Sequence, residues 1–335
     1  MKKFGIGALA VIGGLWMGGL VAATEYPLAT VNNCVRDPFV VTEDDAYFLY
    51  LTKPLSTSTN AGTGVDVLES RDLRRWTVRK SVMTVDPSLG CTKVWAPEVH
   101  RYRGKWYLLA TLTRRVDCQK VEPMPKRGCK LGRIQPRGIW VYVADSPRGP
   151  FKPVTNRCLT PPEWMCLDGT LFVEGGKPYM VFCHEWCQVG DGRMMLVELS
   201  EDLSSFAGDP KELFLASSVG PDWHVTDGPC LYRSEVSKHL FMFWSNFGTD
   251  GYSVYVKESA TGSVKGPWVN RGKLFGKNGG HGMVFKDREG QFRFTLHQPN
   301  SPRGEERMKT FVLVDDGGVP HLASDSDPAG EKVAL

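Results

Sequence analysis

The chain has no glycine-rich phosphate loop and no dinucleotide fingerprint, so the usual nucleotide cradles are missing. No two cysteines are spaced as CxxC, which removes the common zinc-ribbon and thioredoxin-type readings. The charge excess is slight, a formal +4 over 335 residues. That is too weak for a protein whose main partner is nucleic acid. Nowhere does an apolar period of 3.6 residues persist, so helices should be few. Beyond the N-terminal run, no apolar stretch is long enough to span a bilayer.

What is present begins with that run. Lys2 and Lys3 precede an apolar stretch from Phe4 to Val21, which closes on the small residues Ala22 and Ala23. A basic start, an apolar middle and a small-residue exit describe a secretory signal peptide over residues 1–23. The mature chain is then expected outside the cell or in the periplasm, with no membrane span. It divides into one domain over residues 24–320 and a polar tail over 321–335, and is expected to act as a monomer. Export permits disulfides among the nine cysteines. Cys118 with Cys129 is the first candidate pair, and Cys158 with Cys166 the second.

Self-similarity carries the architecture. Five segments read alike, starting at Asp37 (DPFVVTEDDAYFLYLT), Ala96 (APEVHRYRGKWYLLAT), Asp168 (DGTLFVEGGKPYMVFCH), Asp227 (DGPCLYRSEVSKHLFMFWS) and His281 (HGMVFKDREGQFRFTLH). Each opens on a polar or small residue beside Pro or Gly. A short apolar strand follows, then a polar turn, then a strand rich in aromatic and branched residues: a β-hairpin with its turn chemistry in place. The stretches between hairpins also match one another and supply two more strands. Four strands repeated five times predict an all-β, five-bladed propeller. In a propeller every inner strand begins at the same end of the central channel. Asp37, the Ala96-Pro97-Glu98 turn, Asp168, Asp227 and His281 should therefore converge.

These pieces resemble glycoside hydrolase family 43, from Cys34 to about Val314. The matching motifs are RDPFV at Arg36–Val40, VWAPEV at Val94–Val99, LDGTLFVEGGKPYMVF at Leu167–Phe182, TDGPCLYR at Thr226–Arg233 and GGHGM at Gly279–Met283. The resemblance implies glycosidic hydrolysis with inversion. It casts Asp37 as the base that activates water and Asp168 as the carboxyl that tunes and orients the acid. His281 would stand at the channel centre, beside a structural calcium or sodium ion; no cofactor is otherwise required. An inverting enzyme needs one protonated and one ionised carboxyl roughly 6.5–9.5 Å apart, a gap that suits groups on different blades.

One position departs from the family, which usually carries Glu where this chain has Asp227. Asp227 is the first candidate for the general acid despite its shorter side chain. Glu185, in the stretch CHEW at Cys183–Trp186, is the rival. For binding, Trp95, Trp186 and Phe247 offer ring faces to sugars, and Arg36 a guanidinium beside the base. Glu98 offers a carboxylate to sugar hydroxyls, and His184 and His297 are placed at the mouth. The insertion Arg114–Arg137 carries eight basic residues against Asp117 and Glu122, which suits an acidic polysaccharide. The expected activity is release of α-L-arabinofuranose from arabinan or from decorated pectin or xylan, so the expected partner is a plant cell-wall polysaccharide. The alternatives are a β-xylosidase, or a propeller that binds sugar without cleaving it, which the Asp227 departure favours.

Overall fold

A computed structural model describes residues 25–27, 34–52, 64–114, 136–220 and 223–323. The expected signal peptide, most of the basic insertion with Cys118 and Cys129, and residues 324–335 lie outside the described residues. So does any test of the first disulfide.

Each hairpin repeat forms the inner half of an antiparallel sheet, and there are five sheets. Blade I comprises Arg36–Glu43, Ala46–Thr52, Gly64–Ser70 and Arg75–Thr84, with Glu25–Pro27 added outside. Blade II is built from Cys91–Tyr102, Lys105–Arg114, Arg137–Ala144 and Lys152–Pro153. Blade III contains Cys166–Glu174, Lys177–His184, Arg193–Glu198 and Lys211–Leu215. Blade IV holds Asp227–Arg233, Leu240–Gly248, Gly251–Ser259 and Trp268–Phe275. Blade V has Gly280–Lys286, Phe292–Gln298, Arg307–Val314 and His321–Leu322, so its outer strand passes the expected boundary at residue 320. The inner strands touch one another in turn, and blade V returns to blade I. The expected five-bladed propeller is present.

The core lies between blades. Phe214 of blade III packs on Trp244 of blade IV at 5.1 Å, and Phe243 of blade IV on Phe294 of blade V at 5.2 Å. Ile139, Met180 and Phe182 fill the gap between blades II and III. Each such side chain contributes roughly 1.5–3 kcal/mol by leaving water. Cys158 and Cys166, the second candidate pair, are both free thiols. Cys158 Sγ turns instead to the Thr160 hydroxyl at 3.1 Å, while Cys166 is buried in the apolar layer between blades II and III.

The inner strands share a defect at one phase. Register shifts fall between Arg36 and Phe39, Trp95 and Glu98, Leu167 and Thr170, Asp227 and Cys230, and Gly280 and Met283. Inside each bulge one residue has left-handed backbone: Asp37 (φ 53), Ala96 (φ 42), Asp168 (φ 54), Gly228 (φ 46) and His281 (φ 51). Bulges re-aim side chains and cluster near active sites. The equivalent of Asp37 in blade IV is therefore Gly228, and Asp227 stands one residue out of phase. This corrects the expectation that all five heads share one phase. The dipeptides DP, AP, DG, GP and HG carry the true register.

Four of the strained residues are latched across a blade junction through their own N–H. Ala96 donates to Thr52 Oγ1 at 2.7 Å, Asp168 to Thr111 Oγ1 at 3.0 Å, His281 to Ser245 Oγ at 2.8 Å and Asp37 to His297 Nδ1 at 3.2 Å. The fifth, Gly228, donates to the Asp168 carboxylate at 3.0 Å.

Candidate active site

The bulges aim three carboxylates at one imidazole. His281 Nδ1 lies 3.3 Å from Asp37 Oδ1, 3.6 Å from Asp227 Oδ1 and 3.8 Å from Asp168 Oδ2. Burial disfavours a charge on His281, but Asp37, Asp168 and Asp227 outweigh it and lift its pKa to about 10. The ring is an imidazolium at neutral pH. Asp37 is raised by burial, yet His281 and Arg36 pull it below the usual carboxylate range. Burial and the neighbouring Asp227 charge push Asp168 well up. Asp227 is pulled down despite burial by hydrogen bonds from Asp168, His281 and Tyr252. The proton of the Asp168–Asp227 pair therefore sits on Asp168, the more buried of the two. Two carboxylates then face one imidazolium and one guanidinium, which Arg36 shares with the buried Glu306.

Each carboxylate is held by other donors as well. Thr52 Oγ1 donates to Asp37 Oδ2 at 2.7 Å, and the Tyr252 hydroxyl to Asp227 Oδ2 at 2.5 Å. Arg36 Nη2 donates to Asn300 Oδ1 at 2.8 Å, and its Nη1 pairs with Glu306 at 3.3 Å. Its Nε remains 3.8 Å from Asp37.

A cavity of about 270 Å³ opens over this floor. Asp37, Asp168, Asp227 and His281 line it, together with Arg36, Trp95, Glu185, Trp186 and Phe247 from the sequence expectations. Three expected residues are elsewhere. Glu98 follows its bulge at the place of Phe39, Thr170, Cys230 and Met283, and its carboxylate meets His100 Nε2 at 2.9 Å. His184 stacks on Trp164 at 4.5 Å and bonds Gln188 at 2.8 Å, away from the mouth. His297 is wholly buried behind Asp37, stacked on Tyr252. Its Nδ1 accepts the Asp37 N–H and its Nε2 lies 3.2 Å from Asn300 Oδ1, which defines a neutral Nε2–H ring. Burial accordingly draws its pKa down to about 4, against the pull of Asp37.

A model of glycosyl hydrolases family 43 matches residues 26–314. The chain belongs to that family. Among solved structures, an endo-arabinase from Bacteroides thetaiotaomicron VPI-5482 is 33% identical with a TM-score of 0.71, over 87% of this chain and 98% of that one. The extracellular endo-alpha-(1->5)-L-arabinanase 1 of Bacillus subtilis (strain 168) is 31% identical over 85 residues, which are 23% of this chain and 24% of that protein. The match thus spans about a quarter of that curated relative. An alpha-L-arabinofuranosidase from Lactobacillus brevis shares the fold at 16% identity and a TM-score of 0.65, over 88% of this chain and 95% of that one.

Family 43 enzymes need no cofactor. For an ion, the structure offers ligand atoms of Asp168, Asp227 and His281 within 4.8 Å of one another. The imidazole of that set is protonated, and its carboxylates already accept from Gly228 and Tyr252. Thr52, Ser245, Tyr252, Asn300 and Arg303 are among the residues at or beside the site that the sequence did not single out. Thr52 and Ser245 end their hairpin repeats at the latching position, a signal visible in hindsight. Tyr252 and Arg303, which also line the cavity, occupy no repeated position.

Proposed function

We propose that the chain is an exported glycosidase that cleaves α-L-arabinofuranosyl linkages in plant arabinan or arabinan-bearing pectin, with inversion. The observation that carries this reading is the convergence of Asp37, Asp168 and Asp227 on His281 beneath a cavity walled by Trp95, Trp186 and Phe247. Asp37, ionised and fixed by Thr52 and Arg36, is poised to take a proton from water. Asp37 Oδ1 and Asp227 Oδ1 each lie within 3.6 Å of one nitrogen. They are thus separated by at most twice that distance, which reaches the inverting range of roughly 6.5–9.5 Å only at its lower end.

Arabinan is favoured over xylan because the Bacteroides and Bacillus proteins, each more than 30% identical where they match, are both named as arabinan-cleaving. The same names favour internal cleavage as the second reading, against release of terminal arabinose. Export rests on the N-terminal sequence and on the extracellular naming of the Bacillus relative. No helix among the described residues is long and apolar enough to cross a membrane. No ion beside His281 enters the reading.

The test is hydrolysis of nitrophenyl α-L-arabinofuranoside, nitrophenyl β-xyloside and linear arabinan by the wild type and by Asp37→Asn. Arabinosides should be cleaved, and Asp37→Asn should lower turnover about a hundredfold or more. Preference for the xyloside would overturn the substrate class. Undiminished turnover in a folded Asp37→Asn would remove the base.

A further inference from the structure

We propose that Glu185, and not Asp227, is the carboxylic acid that protonates the leaving oxygen, with Arg137 as its positioning residue. This rests on the glycosidase reading above.

Asp227 is badly placed to deliver a proton. Its Oδ2 accepts from the Tyr252 hydroxyl at 2.5 Å, and its Oδ1 faces the Nδ1–H of His281 at 3.6 Å. Both oxygens are thus acceptors in an engaged network. The residue lies one step out of the bulge phase and is one methylene shorter than the family's usual Glu. Asp168 does not replace it. Only 4% of its side chain is exposed, and its Oδ2 is taken up by the Gly228 N–H.

Glu185 has the longer side chain and stands outside the carboxylate–imidazole network. It follows directly on the second strand of blade III and enters the turn Trp186–Val189, which aims it into the same cavity. It is 8% exposed. Arg137 Nη1 lies 3.1 Å from both Oε1 and Oε2 and donates its hydrogen bond to Oε1. Taking a carboxyl out of water disfavours its charged form, and here that acts against the pull of Arg137. Arg137 in turn lies over the Trp95 ring at 4.8 Å, so the pair is fixed against the cavity wall. Burial lifts the Glu185 pKa above its ordinary value. Arg137 and the nearby Cys187 thiol oppose that rise, and the Asp227 charge adds to it.

In the step, the glycosidic C–O bond breaks with its electron pair going to the leaving oxygen, which takes the proton from Glu185. Water attacks the anomeric carbon from the opposite face and passes its proton to Asp37. Exchange with solvent restores both groups.

The experiment compares Glu185→Gln and Asp227→Asn on two substrates, an arabino-oligosaccharide and dinitrophenyl arabinofuranoside. The dinitrophenolate leaves without protonation, so only a true acid shows selective loss. Glu185→Gln should lose about 10²- to 10⁴-fold on the oligosaccharide and only a few-fold on the activated substrate. Asp227→Asn should lower both alike. As a second readout, Arg137→Gln removes the nearby cation and should move the alkaline limb of the oligosaccharide pH profile upward. Selective loss in Asp227→Asn, equal loss in Glu185→Gln, or an unmoved limb in Arg137→Gln each overturns the assignment while glycosidase activity stands. A wild type inert on every glycoside would instead sink the underlying reading, and the acid with it.

Discussion

Blades III and IV meet differently from the other four neighbouring pairs. Elsewhere a neutral acceptor on one blade holds the strained N–H of the next: Thr52, Thr111, Ser245 or His297. At the III–IV junction the residue in that register is Cys183, opposite Leu167. A thiol is a weak acceptor, and Gly228 turns to the carboxylate of Asp168 instead. The ring is thus closed four times by a hydroxyl or an imidazole, of which Thr52 also donates to the Asp37 carboxylate. It is closed once by a carboxyl of the site itself. Strain at functional positions persists only where the surroundings over-determine it, and here the latches supply that constraint.

The sharpest way to break this comparison is to cut both kinds of latch. Thr111→Val orphans the Asp168 N–H, and Asp168→Ala orphans the Gly228 N–H. Each should cost about 1–3 kcal/mol of stability, the penalty for an unsatisfied buried donor. Only Asp168→Ala should also lower glycosidase turnover, by about a hundredfold or more. Asp168→Asn keeps an acceptor for Gly228 and should restore the melting temperature. If Thr111→Val loses as much turnover as Asp168→Ala, the two kinds of junction do not differ in function.

The sequence showed the blades because each hairpin announces itself twice, by a Pro or Gly pair at its head and by an aromatic-rich return strand. It showed Asp37, Asp168 and His281 for the same reason, since each precedes that Pro or Gly. It misaligned Asp227, because a conspicuous acid drew the repeat one residue early when Gly228-Pro229 marked the bulge. Glu98 looked like a head residue, yet it stands two residues past the left-handed position, where its carboxylate pairs with His100. His184 and His297 could not be told apart by type or spacing. The neighbours that separate them, Trp164 for one and Tyr252 for the other, come from distant sequence.

A finer division lies within the neutral latches, because His297 alone among them titrates. Folded, it keeps its lone pair on the Asp37 N–H and resists protonation down to about pH 4, whereas an unfolded histidine takes its proton near 6.5. Between those values the unfolded chain binds more protons, so stability must fall as pH drops through that window. His297→Gln retains an acceptor for Asp37 without titrating, and its melting temperature should decline less steeply there. Parallel curves for the two proteins would mean that His297 shares the charge of its surroundings. The hydroxyl latches predict no such slope.

The smallest effect expected is that of calcium, and it tests whether the floor needs an ion at all. The ionised Asp37 and Asp227 help hold the His281 pKa well above its ordinary value, so at neutral pH its Nδ1 carries a proton where a metal would need a lone pair. Calcium also prefers six to eight oxygen ligands. Here Tyr252, Thr52 and the Gly228 N–H already occupy oxygens of the three carboxylates. Proton and cation therefore compete for one place. Millimolar calcium or a chelator should leave melting temperature and turnover unchanged at neutral pH. A site filled at a hundredfold excess over its Kd would add about 2.7 kcal/mol, which a melting curve resolves easily. Such a rise, reversed by chelator, would mean that His281 is neutral and that the cation supplies the charge assigned here to the imidazolium.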